Sequence, residues 1–463
     1  MMVLLRVQRL VLLALVGMRA AGALGQETQG ATAPAGVRLR PLVLRAMKGE
    51  PQLPIDYASA LRLATAQNLD IMQARARVRE AEGEHLRAIG VLVPWLSAGL
   101  TVSHIDGEIQ GSFGDLERRE FSTINPAGRV NLLLNPGEAI FNLLAASKRA
   151  DAGLSASESV GQETLARVAT AYFALQRAEA HIDIAASALE TAAQLLQLAR
   201  DREALGSGLA VDVARAEARY AREDVALTSA EELFRSASID LADVLQLDPT
   251  AVLVPLEGTV QPLALADSER PLPELIEQAL ARRPDVSEAG LRVGAAGDTR
   301  RAALARALGP TVYGAFEESG IGTSFDVGNR QIYGGFVGWT FSASSVGDVQ
   351  VASARREQAH LQRTQKEQAV KAAVVQARTL RLTAKARVSA ARRGVVAAEE
   401  SLSLSQDRFQ HGAGLELEVL EAQESLTAAQ TAVVDAIVAY NVALVALLHA
   451  TGGVSAATLG AGP

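Results

Sequence analysis

Cysteine is absent from this 463-residue chain, and aromatic residues make up only 4% of it. Without cysteine there can be no disulfide, Cys-ligated zinc, iron–sulfur cluster, c-type haem, cysteine nucleophile or lipid attached through a cysteine. Basic residues are in the minority, because 45 Lys and Arg face 52 Asp and Glu, which gives a net charge of −7. This balance argues against a nucleic-acid-binding protein, which needs a basic face to displace phosphate counterions.

The N-terminal residues have the pattern of a secretory signal peptide. Two arginines precede a nine-residue apolar run, residues 10–18, and small residues follow it. Nine residues are too few to cross a bilayer, which takes about 20. We therefore predict a signal peptide over residues 1–25, cut near Ala23 or Gly25 and followed by an extended segment, residues 26–52.

No later stretch is a convincing membrane-spanning helix. The most apolar candidate, residues 433–448, contains Asp435 and Asn441. Polar side chains of this kind are costly in the hydrocarbon core. If the exported protein crosses a membrane, we expect it to do so with β-strands.

Proline is missing from two long stretches, between Pro136 and Pro249 and between Pro310 and Pro463. Because proline disrupts a helix interior, these gaps permit very long helices, which we predict over residues 138–205 and 347–410. Glycine has no Cβ and can take positive φ, so glycine pairs mark sharp turns after both helices. Shorter return helices follow the turns: Gly206 and Gly208 precede residues 209–247, and Gly412 and Gly414 precede residues 415–449.

The two predicted hairpins are copies of each other. A shift of 206 positions aligns Arg202, Gly206, Gly208, Leu209, Val213 and Ala216 with Arg408, Gly412, Gly414, Leu415, Val419 and Ala422. A second match lies upstream at an offset near 215, where Leu92-Val93-Pro94 parallels Leu308-Gly309-Pro310. The chain is thus a tandem duplication. Its predicted units are residues 53–247, a linker over 248–273, residues 274–452 and a flexible tail over 453–463.

Each repeat carries a predicted pair of strands between its short and long helices, at about residues 95–134 and 310–341. In the first pair, apolar residues such as Leu96 and Leu100 alternate with small or polar ones such as Ser97 and Thr101. Such alternation is typical of outer-membrane strands.

The two tryptophans mark the same end of the predicted strand pairs. Trp95 begins its strand and Trp339 nearly ends its own, so both should lie at one membrane interface, as an aromatic belt requires. Four strands cannot close a barrel, because the smallest membrane barrels have eight. Several copies must therefore share one sheet, and the residues themselves leave open whether two or three do so.

The chain resembles the TolC family of outer-membrane efflux proteins over about residues 53–452. The resemblance is carried by the order and duplication of short motifs: Ala60-Leu61 through Asn68-Leu69-Asp70, Leu92-Val93-Pro94, and Arg408-Phe409 followed by Gly412, Leu415, Val419-Leu420, Ala422-Gln423 and Leu426. It implies a mainly α chain with a small β part, in which duplicated helical hairpins form a tunnel. Four transmembrane strands per chain would then join a shared trimeric β-barrel.

The resemblance also implies a function and a set of partners. The homotrimer would be the exit duct of a tripartite efflux or type I secretion system, located in the outer membrane and in contact with its lipid. The hairpin turns would dock onto a periplasmic adaptor, which leads to an inner-membrane pump. The resemblance implies neither a cofactor nor catalysis, and nucleic acid is not an expected partner.

Members of the family that this chain resembles keep acidic side chains at the periplasmic entrance, just after the second glycine turn. The matching residues are Glu418 and Glu421, and the repeat places Asp212 opposite Glu418. Like charges around a narrow mouth favour cations. Two departures are visible: Gly414 stands where some members have a basic gating residue, and Glu203 replaces the usual aromatic.

Two other readings fit parts of the sequence. A soluble periplasmic adaptor or scaffold could also be built from helical hairpins, but it would need no alternating strands. A di-metal helical-bundle enzyme could use the two Glu-x-x-His pairs, Glu82 with His85 and Glu357 with His360. Such a site would also require two further glutamates from other helices.

Overall fold

A computed structural model describes residues 51–111, 113–257, 260–263, 270–323, 326–411 and 413–460. The predicted signal peptide and residues 26–50 of the extended segment lie outside these ranges, as do parts of the linker and tail. The described residues form six strands and eight helices. In chain order they are β1 (Gln52–Ile55), α1 (Tyr57–Gln67), α2 (Leu69–Gly90), β2 (Trp95–Gln110), β3 (Leu116–Leu134), α3 (Pro136–Ala204), α4 (Ala210–Leu245), β4 (Val252–Pro255), α5 (Leu272–Arg282), α6 (Pro284–Leu308), β5 (Thr311–Thr323), β6 (Asp326–Gly338), α7 (Ala343–Gln410) and α8 (Glu416–Ala450).

The two halves repeat the same order of elements: strand, two helices, two strands and two helices. The leading strand and the division of the first predicted helix into two were not predicted from the sequence. The break between the first two helices is made differently in each half. In the first, the Asn68 side chain accepts hydrogen bonds from the amides of Asp70 and Ile71 and so caps α2. In the second, Pro284 occupies the first turn of α6, where its missing N–H costs nothing.

The long helices extend slightly beyond their predicted N-terminal bounds. Helix α3 has 69 residues and would be about 100 Å long at 1.5 Å per residue. It begins at Pro136 because the Asn135 side chain caps the amide of Glu138. Helix α7 begins at Ala343, four residues before the predicted start, after Ser342 caps the amide of Ser344.

Strands β2, β3, β5 and β6 form one antiparallel sheet in that order. Trp95 is the first residue of β2, and Trp339 follows the last residue of β6 directly. Both indole side chains therefore lie at the end of the sheet that joins the helices, and both are exposed. They belong to opposite lateral sides of the sheet, because β2 and β6 are its outer strands.

A second, two-stranded sheet was not anticipated from the sequence. Strand β1 pairs with β4 in parallel, with Leu53 opposite Leu253. Tyr172 of α3 joins this sheet to the long helix, because its hydroxyl donates to the carbonyl oxygen of Ile55 and to Glu257. The amide of Tyr57 donates to the other oxygen of Glu257. Strand β1, which straddles the predicted boundary between the extended segment and the first repeat, and strand β4, which lies in the predicted linker, thus form a structured collar against α3.

This collar makes the stability of the protein depend on pH through Glu179 of α3. Burial, and then the charges of Asp183 and Glu257, raise the pKa of Glu179 from 4.5 to about 7. The protonated form is therefore favoured by folding, so its contribution is full below about pH 4.5 and is lost as the pH rises through 7. We expect Glu179→Gln to raise the Tm at pH 8 and to change it little at pH 5. The exposed Glu190→Gln on the same helix is the control, and equal behaviour of the two variants would contradict the assignment.

Helix α8 is apolar enough to span a membrane by length and composition. No segment after the signal peptide was predicted from the sequence to be a spanning helix. Residues Leu417–Ala450 contain an 18-residue window with a mean hydropathy of 2.0. Inside the protein, 44% of this window is buried. Leu444 and Val445 are almost fully buried. Asn441 donates to the carbonyl of Gln261 and accepts from the amide of Leu263. These contacts are those of a core helix packed against its neighbours.

The long helices lie side by side in a curved layer. Nearest the sheet the order is α2, α3, α6, α7, and towards the glycine turns it is α4, α3, α8, α7. A cavity of about 720 Å³ contacts α2, α3, α6 and α7 on one face. One cavity can touch four adjacent helices only on the hollow side of the layer, so this face is concave. One arginine from each helix lines it: Arg77, Arg149, Arg292 and Arg355.

Candidate entrance at the hairpin tips

The described parts of the two glycine turns share the same close backbone contacts. After α3, Gly206 has a φ of +72°, and the amides of Ser207 and Gly208 both donate to the carbonyl of Arg202. A Cβ on Gly208 would lie 2.8 Å from the amide nitrogen of Glu203, which is too close for any other residue. Gly414 has the equivalent restriction, since its Cβ would lie 3.0 Å from the amide nitrogen of Phe409. Gly412 lies outside the described residues.

The two turns lie at the same end of the helical layer, next to each other. The guanidinium of Arg202, from the first hairpin, lies 4.3 Å from the centre of the Phe409 ring in the second. This is a cation–π distance. Phe409 is the repeat counterpart of Glu203, because 203 plus 206 is 409. The aromatic side chain that position 203 lacks is thus present at the tip of the other hairpin.

The predicted acidic residues at this end differ in how far they are neutralised. Glu418 lies 3.6 Å from Arg408, and Asp212 lies 3.6 Å from Arg215 on its own helix. Glu421 is exposed and makes no ion pair within the part of the chain that the structure describes. The structure therefore brings Glu418, Glu421 and Asp212 to the tip end, but only Glu421 is left with an unpaired charge.

A charged bridge that was not predicted from the sequence joins the two hairpins. Arg219 of α4 is almost completely buried, and its Nε lies 2.8 Å from Glu223 on the same helix. Its Nη1 lies 2.8 Å from Oε2 of Glu424 on α8. The i, i+4 spacing of Arg219 and Glu223 was visible in the sequence. The contact with Glu424 was not, because it depends on how the two hairpins pack.

The hairpin tips also expose leucine side chains to solvent. Leu205, Leu209 and Leu415 flank the two turns, and each is at least 65% exposed. Exposed apolar residues clustered at a turn are unusual on a free surface and are typical of contact sites. The tip thus combines apolar side chains around the turns with carboxylates on the first turns of the return helices.

The Glu-x-x-His pairs are not brought together into a metal site. Among the described residues, no group of three or more His, Asp or Glu side chains is placed to hold a metal ion. The Nδ1 atom of His85 is buried and has no hydrogen-bond partner among the described residues, and His360 is exposed on α7. The geometry therefore offers no support for the di-metal enzyme.

Comparisons with known proteins agree with this architecture. A model of the family described as "Outer membrane efflux protein" matches residues 60–245 and 275–453, which are the two repeats. The chain is 26% identical over 425 residues to the outer membrane efflux protein BepC of Brucella suis, covering 89% of each chain. It is 27% identical over 406 residues to the cation efflux system protein CusC of Escherichia coli strain K12, covering 84% of this chain and 85% of CusC. The outer membrane protein VceC of Vibrio cholerae has the same fold, with a TM-score of 0.74 at 21% identity over 86% of this chain and 96% of VceC.

Proposed function

The chain belongs to the family of outer membrane efflux proteins, and from this premise we propose that three copies form one exit channel with a periplasmic adaptor and an inner-membrane pump as partners. Members of the family are transport ducts in the outer membrane and not enzymes. In the proposed trimer, three four-stranded sheets close into a twelve-stranded barrel. Three curved helical layers close into a tunnel below it.

The observation that carries the proposal is the pair of open edges on the sheet. Within the described chain, β2 and β6 each pair along one side only. An open edge in lipid leaves backbone groups without hydrogen bonds, so the edges must be paired. Each strand has at least 13 residues, which is enough to cross the hydrocarbon core. Leu96, Leu100 and Val102 are exposed on one face of β2, as lipid-facing residues are.

The outer helices of the curved layer support the same assembly. Helix α7 lies at one side of the layer, and α2 and α4 lie at the other. Both sides expose large apolar side chains: Leu361, Val375, Leu380 and Val396 on α7, Met72 and Leu86 on α2, and Val225 and Leu233 on α4. Joining copies head to tail around an axis would cover both sides with one repeated interface. The soluble adaptor or scaffold explains neither these sides nor the apolar strand face.

The hairpin tips are the proposed docking surface for the adaptor. They are the end of the tunnel farthest from the strands, so in an exported outer-membrane protein they point into the periplasm. The exposed Leu205, Leu209 and Leu415 supply apolar contact area there. The glycine turns keep the tips narrow, because Gly208 and Gly414 leave no room for a Cβ.

Disulfide trapping between β2 and β6 tests the shared barrel. Because the native chain has no cysteine, only the introduced cysteines can form a disulfide. We expect Val337→Cys in β6, combined with Leu96→Cys or Ala98→Cys in β2, to give covalent dimers and trimers on non-reducing gels. Within one chain β2 and β6 are three strand spacings apart, about 14 Å, whereas a disulfide needs Cα atoms within about 7 Å.

The matched control pairs Val337→Cys with Val130→Cys, which lies opposite Leu96 on the inner strand β3. This pair should stay monomeric on the gel. Mass measurement of the detergent-solubilised particle should give three chains. A stable monomer, or equal cross-linking from β3, would exclude the shared barrel.

A further inference from the structure

The hairpin tips of one chain are joined by a contact that has a direction. Arg202, near the end of α3 in the first hairpin, holds its guanidinium 4.3 Å from the centre of the Phe409 ring, near the end of α7 in the second hairpin. The arginine therefore comes from the first hairpin, and its partner comes from the second.

The repeat supplies a second arginine and a second partner residue that this contact does not use. A shift of 206 positions carries Arg202 to Arg408 and Glu203 to Phe409. Each hairpin thus has an arginine followed directly by a partner residue, which is a glutamate in the first hairpin and a phenylalanine in the second. Within one chain, Arg408 and Glu203 are the two positions left over.

A closed tunnel brings these two positions together. In the proposed trimer, on which this step rests, six hairpins of alternating type surround the axis. Towards the tips the helices of one chain follow in the order α4, α3, α8, α7, so the second hairpin of one copy meets the first hairpin of the next. A ring closes when the same step is repeated around it. With equal steps between the six hairpins, Arg408 faces Glu203 of the next copy, as Arg202 faces Phe409 within the chain.

The Arg408 guanidinium has donors left for a second partner. The side chain is 59% exposed, and its contacts with the Ala413 carbonyl oxygen at 3.3 Å and with Glu418 at 3.6 Å are both made by Nη2. Among the described residues, no acceptor receives a hydrogen bond from its Nε or Nη1. Because a guanidinium has five N–H donors, a second carboxylate can bind beside the first.

Glu203 has the exposure and the charge that this guanidinium requires. The residue is exposed, and within the described chain its carboxylate takes part in no ion pair. Arginine binds the face of an aromatic ring by cation–π attraction and binds a carboxylate by charge-assisted hydrogen bonds. One position of the guanidinium can therefore serve a phenylalanine inside the chain and a glutamate between chains.

We propose that Arg408 of each copy forms an ion pair with Glu203 of the next copy, so that three such pairs join the trimer at its hairpin tips. The six tips are then held by two alternating contacts, Arg202 with Phe409 inside each chain and Arg408 with Glu203 between chains. Because the ion pairs are exposed, added salt should weaken them and ease separation of the copies at the entrance.

Carbodiimide crosslinking of the intact detergent-solubilised protein tests this pairing. The reagent joins a carboxylate to an amine that touches it, and arginine does not react. Arg408→Lys keeps the positive charge and supplies the amine, so we expect covalent dimers and trimers on denaturing gels above the wild-type background. Adding Glu203→Gln should abolish these bands. Adding Glu418→Gln should leave them, because Glu418 contacts Arg408 within one chain.

Single-channel recordings in planar bilayers measure the effect on the entrance. At low salt, Glu203→Gln should raise the ratio of open to closed channels about tenfold, which is about 1.4 kcal/mol shared among three exposed pairs. Glu203→Phe rebuilds the arginine–aromatic contact and should keep the ratio near that of the wild type. Asp201→Asn is the control for charge, because it removes a carboxylate from the same tip that has no ion pair in the described chain.

Bands that persist with Glu203→Gln, or no bands from Arg408→Lys although the particle contains three chains, would overturn the pairing. Equal opening by Glu203→Gln and Asp201→Asn, or by Glu203→Gln and Glu203→Phe, would overturn it as well. The mass of the particle separates these results from failure of the proposed function, since fewer than three chains would exclude the shared channel itself.

Discussion

Replacing Glu424 by Gln should open the periplasmic end of the channel. Movement of the two hairpins of each chain away from each other would widen the proposed tunnel at its tips. The Arg219–Glu424 pair, at 2.8 Å, joins α4 of the first hairpin to α8 of the second. The substitution removes this attraction but leaves Arg219 its contact with Glu223, so no buried guanidinium loses both partners.

The size of the effect follows from the exposure of the pair and from the number of copies. The Glu424 side chain is 60% exposed, so solvent screens it, and we assign about 1 kcal/mol to the pair. If three copies open together, loss of the three pairs favours the open state by about 3 kcal/mol. This raises the ratio of open to closed channels about a hundredfold. Single-channel recordings in planar bilayers measure this ratio directly.

Glu217→Gln is the matched control for this prediction. Glu217 also pairs with an arginine, Arg200 at 3.2 Å, and is 61% exposed. Both partners, however, belong to the first hairpin, so loss of the pair leaves the two hairpins joined. Equal conductance of the Glu424 and Glu217 variants would show that the bridge does not restrain the entrance.

The architecture was largely predictable from sequence because its determinants are local. The proline-free stretches and glycine turns placed the ends of the two long helices within four residues of their observed bounds. Gly208 and Gly414, which the duplication aligns, both lie close to the backbone of the preceding helix. Alternating residues from Leu96 onwards correctly predicted strands. Each of these signals acts over a few residues of chain.

The missed features depend on contacts between distant segments. The pairing of β1 with β4 brings together Leu53 and Leu253, which no short-range pattern connects. The charge of Glu418 is offset by Arg408 across the turn, and that of Glu424 by Arg219 across two hairpins. A sequence shows the number of carboxylates at the tip, but only packing decides which of them keeps an unpaired charge.

This difference leads to an unequal prediction for the acidic residues at the entrance. We expect Glu421→Gln to lower cation selectivity clearly, and Glu418→Gln to lower it less. The Arg408 guanidinium already lies 3.6 Å from Glu418, whereas Glu421 is exposed and unpaired within the described residues. In the proposed trimer, three Glu421 carboxylates surround one axis, where like charges attract cations and repel anions.

Reversal potentials across a potassium chloride gradient measure the selectivity, and titration with a trivalent cation measures block of the mouth. The salt should be below 0.1 M, because at that concentration charges more than about 10 Å apart are already screened. Coulomb attraction grows with ion charge, so loss of three carboxylates should weaken trivalent block at least tenfold. Glu277→Gln, at an exposed glutamate of α5, controls for net charge alone. If Glu421→Gln leaves selectivity and block unchanged while trimers form normally, Glu421 lies on an ordinary solvated helix face. If Glu418→Gln has the larger effect, Arg408 does not neutralise Glu418 in the assembled channel.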